Sequence, residues 1–537
     1  MTAAALMLRH VVKQHARSSF VAGATVTTIA WRRERRARAE AFEAAIVPMT
    51  AAKFAVERAH EHAAALSAAA KQNVLQRLGS YCRRLARLAY AWARLSALGT
   101  PLLATAPLRK SLGTASDELW WRYFLWATHA AGPTAVKLAQ WASSREDRFP
   151  QDFCDRFSHL QDRAPAHPWA ETEAALVAGL GARWRETLVV DVEPVGTGCV
   201  AQVHRATLLR DVEGGGRVGD EVAVKVIHPA ARDRVAVDLE LMRAGAAWVE
   251  RLFPMARWCS VAVAVDEFGR TLEDQMDMRL EALHLERLVE NFKDIDDITF
   301  PRPRAALTSA DVLVEDFVRG TSMKQILKDL GSVEERVKRA LSEIGVRAVC
   351  KMIFHDNLLH GDMHPGNILV TDLAKPTVCF LDAGICVELG PAEHQHFVDV
   401  LAALMRHDGD RAGRLMIAGN AKFETLGPRA KHNGFRTEAE WKDAQDAFCE
   451  TLASITSKTE EEAFFQKIGD YTTRIFGEAA RCRVALEGYF VSTAIAIRVM
   501  EGVANALDPD VKIGKLSIPW MLSSKVSWLQ ANGVAKA

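Results

Sequence analysis

His360-Gly361-Asp362-Met363-His364-Pro365-Gly366-Asn367-Ile368-Leu369-Val370, followed by Leu381-Asp382-Ala383-Gly384, is the stretch on which the reading of this chain turns. Asp362 and Asn367 stand five residues apart in a loop that runs straight into an apolar strand, and Asp382 comes twenty residues after Asp362. A carboxylate at Asp362 can orient or deprotonate a hydroxyl. The Asn367 amide oxygen and the Asp382 carboxylate are hard oxygen ligands, suited to magnesium or manganese bridging phosphates. The rival reading takes His360, Asp362 and His364 as an H-x-D-x-H cluster for zinc or iron. That cluster would need further ligands on other loops, and it leaves Asn367 and the Asp382 turn unexplained.

The segments upstream supply what such a loop needs. Leu188–Val195 is rich in β formers, Val200–Leu208 and Val222–Ile227 read as strands, and Gly214-Gly215-Gly216 signals a hairpin between the latter two. The turn Gly196-Thr197-Gly198-Cys199 between strands lets backbone N–H groups approach phosphate oxygens without a Cβ in the way. A glycine hairpin with no ligand is the bland alternative. Lys225 lies among apolar residues in Ala223-Val224-Lys225-Val226. A charge on so apolar a strand needs a partner. Glu281, on the helical segment that follows, is the candidate, against the alternative of a solvated glutamate in a charge-rich stretch. Residues 229–292 read as helical, Val312–Phe317 as a strand, and the chain after Gly320 as mostly helical, interrupted by Ile368–Val370 and Val378–Leu381. Helices, then a small sheet with a helical insert, then a helix-rich half is the layout of a bilobal protein-kinase-like α+β fold. Lys225 would neutralise phosphates and Asp362 would act on the acceptor in the cleft between lobes.

Composition sets outer limits. The chain has 537 residues, 49% hydrophobic and 25% charged, with a net charge of +1. That fits a globular protein of more than one domain, and gives no basic field that would suggest nucleic acid. Nine cysteines without a C-x-x-C pair argue against a zinc ribbon or a disulfide framework. Residues 1–33 lack Asp and Glu but carry Arg9, Lys13, Arg17, Arg32 and Arg33, the pattern of an organelle transit peptide, mitochondrial first. An Ala-rich leader that targets nothing, or a single span over Ser18–Trp31, are the alternatives. Trp120, Trp121, Tyr123, Phe124 and Trp126, with Trp520 and Trp528, raise a membrane-contact reading against the ordinary one of core packing.

Taken together, these residues resemble the UbiB/ADCK family of atypical kinases over roughly residues 115–510. Lys137-Leu138-Ala139-Gln140 matches the family's K-x-G-Q motif, and Gly196–Val203 its alanine-rich nucleotide loop. Lys225 matches the strand lysine, and Gln275-Met276-Asp277 through Glu281 the E-x-D helix motif. Asp362–Asn367 and Asp382–Gly384 match the catalytic loop and D-F-G turn, and Leu507-Asp508-Pro509 also fits. Four positions depart from the pattern: Gly196-Thr197-Gly198 in place of the alanine loop, Ala139, Gln275 and Ala383. These departures are most similar to the second mitochondrial ADCK subgroup. The resemblance implies ATP with Mg2+ or Mn2+ as cofactors. Gly196, Thr197, Gly198, Cys199, Val203, Lys225 and Glu281 would line the nucleotide site, with Lys137 and Gln140 covering it. Asn367 and Asp382 would ligate the metal, and Asp362 with Lys225 would serve catalysis. It further implies ATPase or small-molecule kinase activity in coenzyme Q or related lipid metabolism. The implied setting is a mitochondrial or plastid membrane, with lipids, isoprenoid quinone precursors or a biosynthetic complex as partners. A non-catalytic nucleotide-binding scaffold is the competing function. The expected organisation is a leader (1–33), a helical region (34–113), the K-x-G-Q-type extension (114–187), an N lobe with a helical insert (188–319), a C lobe (320–510) and a tail (511–537).

Overall fold

The computed structural model describes residues 53–61 and most of 74–520; residues 1–52, 62–73, 144–150, 158–165, 253–260, 420–436, 458–467 and 521–537 lie outside the described residues, as do a few single positions. The leader, Ser18–Trp31 and Trp528 therefore fall outside it. The chain forms two compact units, residues 1–72 and 73–537. Of the first, residues 53–61 are described and are helical.

The second unit opens with helices α1 (Val74–Thr105), α2 (Thr114–Ala131), α3 (Pro133–Ser143), α4 (Gln151–Phe157) and α5 (Trp169–Leu180). Gly132 ends α2 at φ 101°, a left-handed conformation that glycine adopts without penalty, and Pro133 starts α3 where its missing N–H is no loss. The aromatic cluster is core here: Trp121 and Phe157 are buried together with Val136, Ala139 and Cys199, although Trp126 is 58% exposed.

The upper lobe is a twisted sheet of β1 (Leu188–Val190), β2 (Gly196–Thr197), β3 (Ala201–Leu208), β4 (Glu221–Ile227) and β6 (Val312–Asp316), in the order β1-β3-β4-β6 with β2 also on β3. Only Leu188–Val190 of the expected Leu188–Val195 strand forms; past Val190, Val192 and Val195 are exposed and have no sheet face to fill. The hairpin closes through a bridge between Val212 and Gly216. One face of the sheet is dry: Ala206, Leu208, Val222, Val224, Val226, Val312 and Val314 pack against Leu176 of α5 and Trp184. Between β4 and β6 run α6 (Ala231–Leu252), α7 (Val261–Gln275) and α8 (Met278–Asn291), so the expected helical stretch divides in three.

After β6 the chain crosses to a helical lobe. A small sheet of β5 (Ile298–Thr299), β7 (Thr321–Ser322), β9 (Ile368–Asp372) and β10 (Thr377–Phe380) lies at its roof, and β8 (Leu359–His360) pairs with β11 (Cys386–Val387). The lobe itself is α9 (Met323–Lys328), α10 (Glu335–Cys350), α11 (Pro391–Met405), α12 (Gly409–Gly419), α13 (Glu438–Ser457), α14 (Ile468–Arg481) and α15 (Gly488–Leu507). Gly345 lets α10 and α15 approach closely: a Cβ there would lie 2.7 Å from Met500 Sδ. A π turn, Lys351–His355, ends α10 just before the loop that carries Asp362; such turns are frequent beside functional sites. The architecture is the bilobal α+β, kinase-like fold.

Candidate functional site: a cleft between the two lobes

Strand pairing fixes which residues face the cleft. Lys225 lies opposite Val203 on β3 and Leu313 on β6. Side chains alternate along a strand, so the valines at 224 and 226 enter the core and Lys225 turns the other way. Helix α8 supplies its partner. Asp277 caps that helix by accepting from the Arg279 N–H at 3.1 Å, and its carboxylate also takes the Arg279 guanidinium. The cap starts the helix so that Glu281 stands in its first turn, where the helix dipole favours a carboxylate. Lys225 Nζ donates to Glu281 Oε1 at 2.8 Å and Oε2 at 2.9 Å. Glu281 is only 4% exposed and is not solvated.

The same lysine reaches the lower lobe, with Nζ 3.1 Å from Asp382 Oδ1. Asp382 sits at φ 57°, left-handed backbone that aspartate tolerates better than most residues. Its side chain remains 44% accessible, so it offers oxygen to the open cleft. Burial disfavours the Lys225 ammonium, but the carboxylates of Asp382 and then Glu281 outweigh it and raise the lysine further. Burial likewise works against the charge on Asp382; Lys225 and then Lys137 overcome it and hold the acid below the usual carboxylate range. Glu281 moves the other way, because burial and the Asp382 carboxylate exceed what Lys225 returns, and it is pushed up to about 7.

The loop below is braced by its own backbone. His360, fully buried, donates Nε2–H to the Leu381 carbonyl at 2.8 Å and accepts the Asp362 N–H on Nδ1 at 3.2 Å. Burial keeps its ring below the usual histidine pKa, hence neutral. Both nitrogens are thus spent on fastening the Asp362 loop to the strand before Asp382. Gly361 is required beside it, since a Cβ would lie 2.7 Å from Ile385 Cγ2. Asn367 Nδ2 donates to the Asp362 carbonyl at 3.1 Å, and the Leu381 N–H donates to the Asn367 carbonyl at 2.8 Å. These bonds tie the loop of Asp362 and Asn367 to the strand end that carries Asp382. They also count against the zinc reading: His360 is occupied, His364 Nδ1 accepts from Gly366 N–H, and among the described residues no three His, Cys, Asp or Glu side chains form a metal cage.

The glycine turn and α3 close the top. Gly196 and Thr197 form β2, with Gly196 opposite Val203. Cys199 is buried against Val136 and Ala139 of α3, so Ala139 packs toward the turn. Lys137 is among the groups that hold Asp382 below the usual carboxylate range. Asp277 is engaged by Arg279.

Two supports escaped the sequence reading. His284, one turn beyond Glu281, donates Nδ1–H to the Ala383 carbonyl at 2.9 Å, and Arg287 pairs with Glu388 at 2.9 Å. Spacing of three along α8 is the signal: Glu281, His284 and Arg287 share the stripe that docks on the Asp382 turn. The second is a histidine relay behind the glycine turn. His228 donates Nε2–H to the Gly198 carbonyl at 2.8 Å, so its Nδ1 accepts from His167 Nδ1–H at 2.7 Å. His167 Nε2 then accepts from the Thr172 hydroxyl at 2.9 Å, and Gln202 donates to His204 at 2.9 Å.

A glycine turn, a strand lysine paired to a helix glutamate, and an Asp–Asn loop followed by a second Asp are the parts of a protein-kinase-like cleft. Residues 159–416 match the ABC1 atypical kinase-like domain. The chain is 28% identical over 466 residues to a mitochondrial ABC1 family protein of Saccharomyces cerevisiae, covering 76% of this chain and 68% of that one. It is 25% identical over 478 residues to a probable serine/threonine-protein kinase of Dictyostelium discoideum, covering 76% and 65%. It is 27% identical over 401 residues to the probable protein kinase UbiB of Pseudomonas fluorescens, covering 73% and 69%. The domain match and these relatives fit the UbiB/ADCK family.

Proposed function

We propose that the protein binds ATP with a divalent cation in this cleft and hydrolyses it or transfers its phosphate to a small molecule. The reading includes a role in ubiquinone or related mitochondrial lipid metabolism, and descent from the second mitochondrial ADCK subgroup. The observation that carries it is the bridge from Lys225 to Glu281 above and Asp382 below, one cation spanning both lobes at the floor of the cleft. The donor set fits Mg2+ or Mn2+. Asn367 and Asp382 are hard oxygen donors, and such ions keep remaining positions for phosphate and water. Glu281 and Asp382 both meet the ammonium of Lys225, and a divalent ion held by Asn367 and Asp382 would relieve that competition. When bound, the cation would neutralise the phosphates. Lys225 would hold the α and β phosphates, Glu281 would orient Lys225, and Asp362 would accept the proton of the attacking hydroxyl or water. Gly196, Thr197, Gly198, Cys199 and Val203 would wrap the phosphates, and Lys137 with Gln140 would limit access to the terminal one.

An apolar cavity in the helical lobe supports the lipid part. It is lined by Ile353, Phe397, Leu401, Ile475, Phe490 and Ile497 among others. An acyl or isoprenoid chain suits such walls. Among the described residues no helix is long and apolar enough to cross a membrane. The mitochondrial name of the yeast relative supports that location. The direct test is ATP hydrolysis by wild type against Asp382→Asn. Turnover lost in the variant supports an enzyme. Nucleotide binding with no turnover in either protein supports a scaffold. Equal turnover in both removes Asp382 from the reaction.

A further inference from the structure

Glu315 shares the cleft face of the upper sheet with Lys225. In the β4–β6 ladder Lys225 lies opposite Leu313, and Ala223 opposite Glu315. Because faces alternate along strands, these four residues look into the cleft while Val222, Val224, Val312 and Val314 fill the core behind. Glu315 is only 8% exposed. Its Oε2 is buried and makes no hydrogen bond among the described residues. A buried carboxyl oxygen without a donor is costly, and in a native structure calls for an explanation. Lys225, two residues along, is already held by Glu281 and Asp382.

Lys225 and Asp382 mark the phosphate end of the cleft. Away from them, β4 presents the small side chain of Ala223 opposite Glu315. We propose that Glu315 reads the nucleobase, its free carboxyl oxygen accepting a hydrogen bond from the exocyclic amino group of an adenine-type ring. This rests on the nucleotide-binding reading above. Burial, and then the Glu281 carboxylate, push the Glu315 acid well above the usual range. Adenine presents an amino donor to a carboxyl oxygen on its major-groove edge, whereas guanine presents two acceptors there, O6 and N7.

The test measures the affinities of ATP, GTP and inosine triphosphate, each with magnesium, for wild type, Glu315→Gln and Glu315→Leu. Wild type is expected to prefer ATP by about tenfold or more, the discrimination one buried hydrogen bond supplies. Glu315→Gln keeps an acceptor and a donor, and retains the preference. Glu315→Leu loses it, with the three nucleotides falling to within about twofold of one another. If Glu315→Leu does not fold, Glu315→Met, closer in length, takes its place. Wild type binding all three equally, or the apolar variant keeping its preference for ATP, overturns the assignment. Failure of wild type to bind any nucleotide instead overturns the nucleotide reading, so the two failures are distinguishable.

Discussion

The upper lobe holds two buried polar clusters, on opposite faces of one sheet. On the cleft face, Lys225 serves Glu281 and Asp382, and Glu315 has an unpartnered oxygen. On the other side, His167, Thr172, Gln202, His204 and His228 pass hydrogen bonds from one to the next until the chain ends on the carbonyls of Gly198 and Asp191. In the histidine cluster each ring has a partner for both nitrogens. The charged cluster has more carboxyls than cations and opens to solvent through Asp382. Satisfied networks specify and stiffen a fold. An unbalanced one is stable only as far as the surroundings hold it, and is the place where a charged ligand gains most. The glycine turn lies between the two, tied from behind by His228 and open in front to the cleft.

The largest effect should come from removing Lys225. Lys225→Ala leaves Glu281, almost fully buried, without the ammonium that both its oxygens accept from. Breaking a buried pair in this way costs about 3–5 kcal/mol, read as a lowered urea midpoint, together with lost nucleotide binding. A stability within about 0.5 kcal/mol of wild type would mean the cluster is not coupled as described.

The pH dependence of stability should have opposite signs for the two clusters. His167 is held at about 4 by burial, then by His228, so between pH 4 and 6.5 the unfolded chain binds more protons than the native one. Stability is full above pH 6.5 and falls as the pH drops through that window, on the order of 1 kcal/mol after screening. Glu315 is raised, so above pH 4.5 the native protein retains a proton that the unfolded chain has lost, and stability declines as the pH rises. Urea unfolding from pH 5 to 8.5 separates them. His167→Asn should flatten the acid limb alone, and Glu315→Gln the alkaline limb alone. A variant that flattens both limbs would merge the clusters into one.

A smaller effect is expected on the lid. Lys137→Ala should leave stability within about 0.5 kcal/mol, yet change turnover or acceptor selectivity by roughly threefold to tenfold through altered charge at Asp382. Wild-type nucleotide affinity, turnover and rejection of protein substrates in that variant would reduce Lys137 to a surface lysine.

The two clusters were unequally visible in the sequence. Asp362, Asn367 and Asp382 lie within one short stretch, so their spacing alone brings them to one loop and the turn after it. Lys225 stood out as a charge in an apolar strand, and Glu281 followed from the resemblance. The histidine relay was hidden because its members come from positions 167, 172, 202, 204 and 228, and only the β3 register and the packing of α5 bring them together. Glu315 was hidden differently. Val312–Phe317 reads as a strand with an acidic end, and the alternation that puts Glu315 beside Lys225 appears only once the β4–β6 register is known. The split of residues 229–292 into three helices was illegible for a local reason: the polar Gln275-Met276-Asp277 run looks helical until Asp277 is seen to cap a new helix.

The central claim, that the unbalanced cluster is a metal-dependent nucleotide site, is tested most directly by thermal shift with ATP. Wild type should be stabilised by ATP with magnesium, by about 2.7 kcal/mol at a hundredfold excess over Kd. The shift should vanish in excess EDTA and be absent in Asp382→Asn. Equal stabilisation by ATP in EDTA, or an undiminished shift in Asp382→Asn, would contradict it.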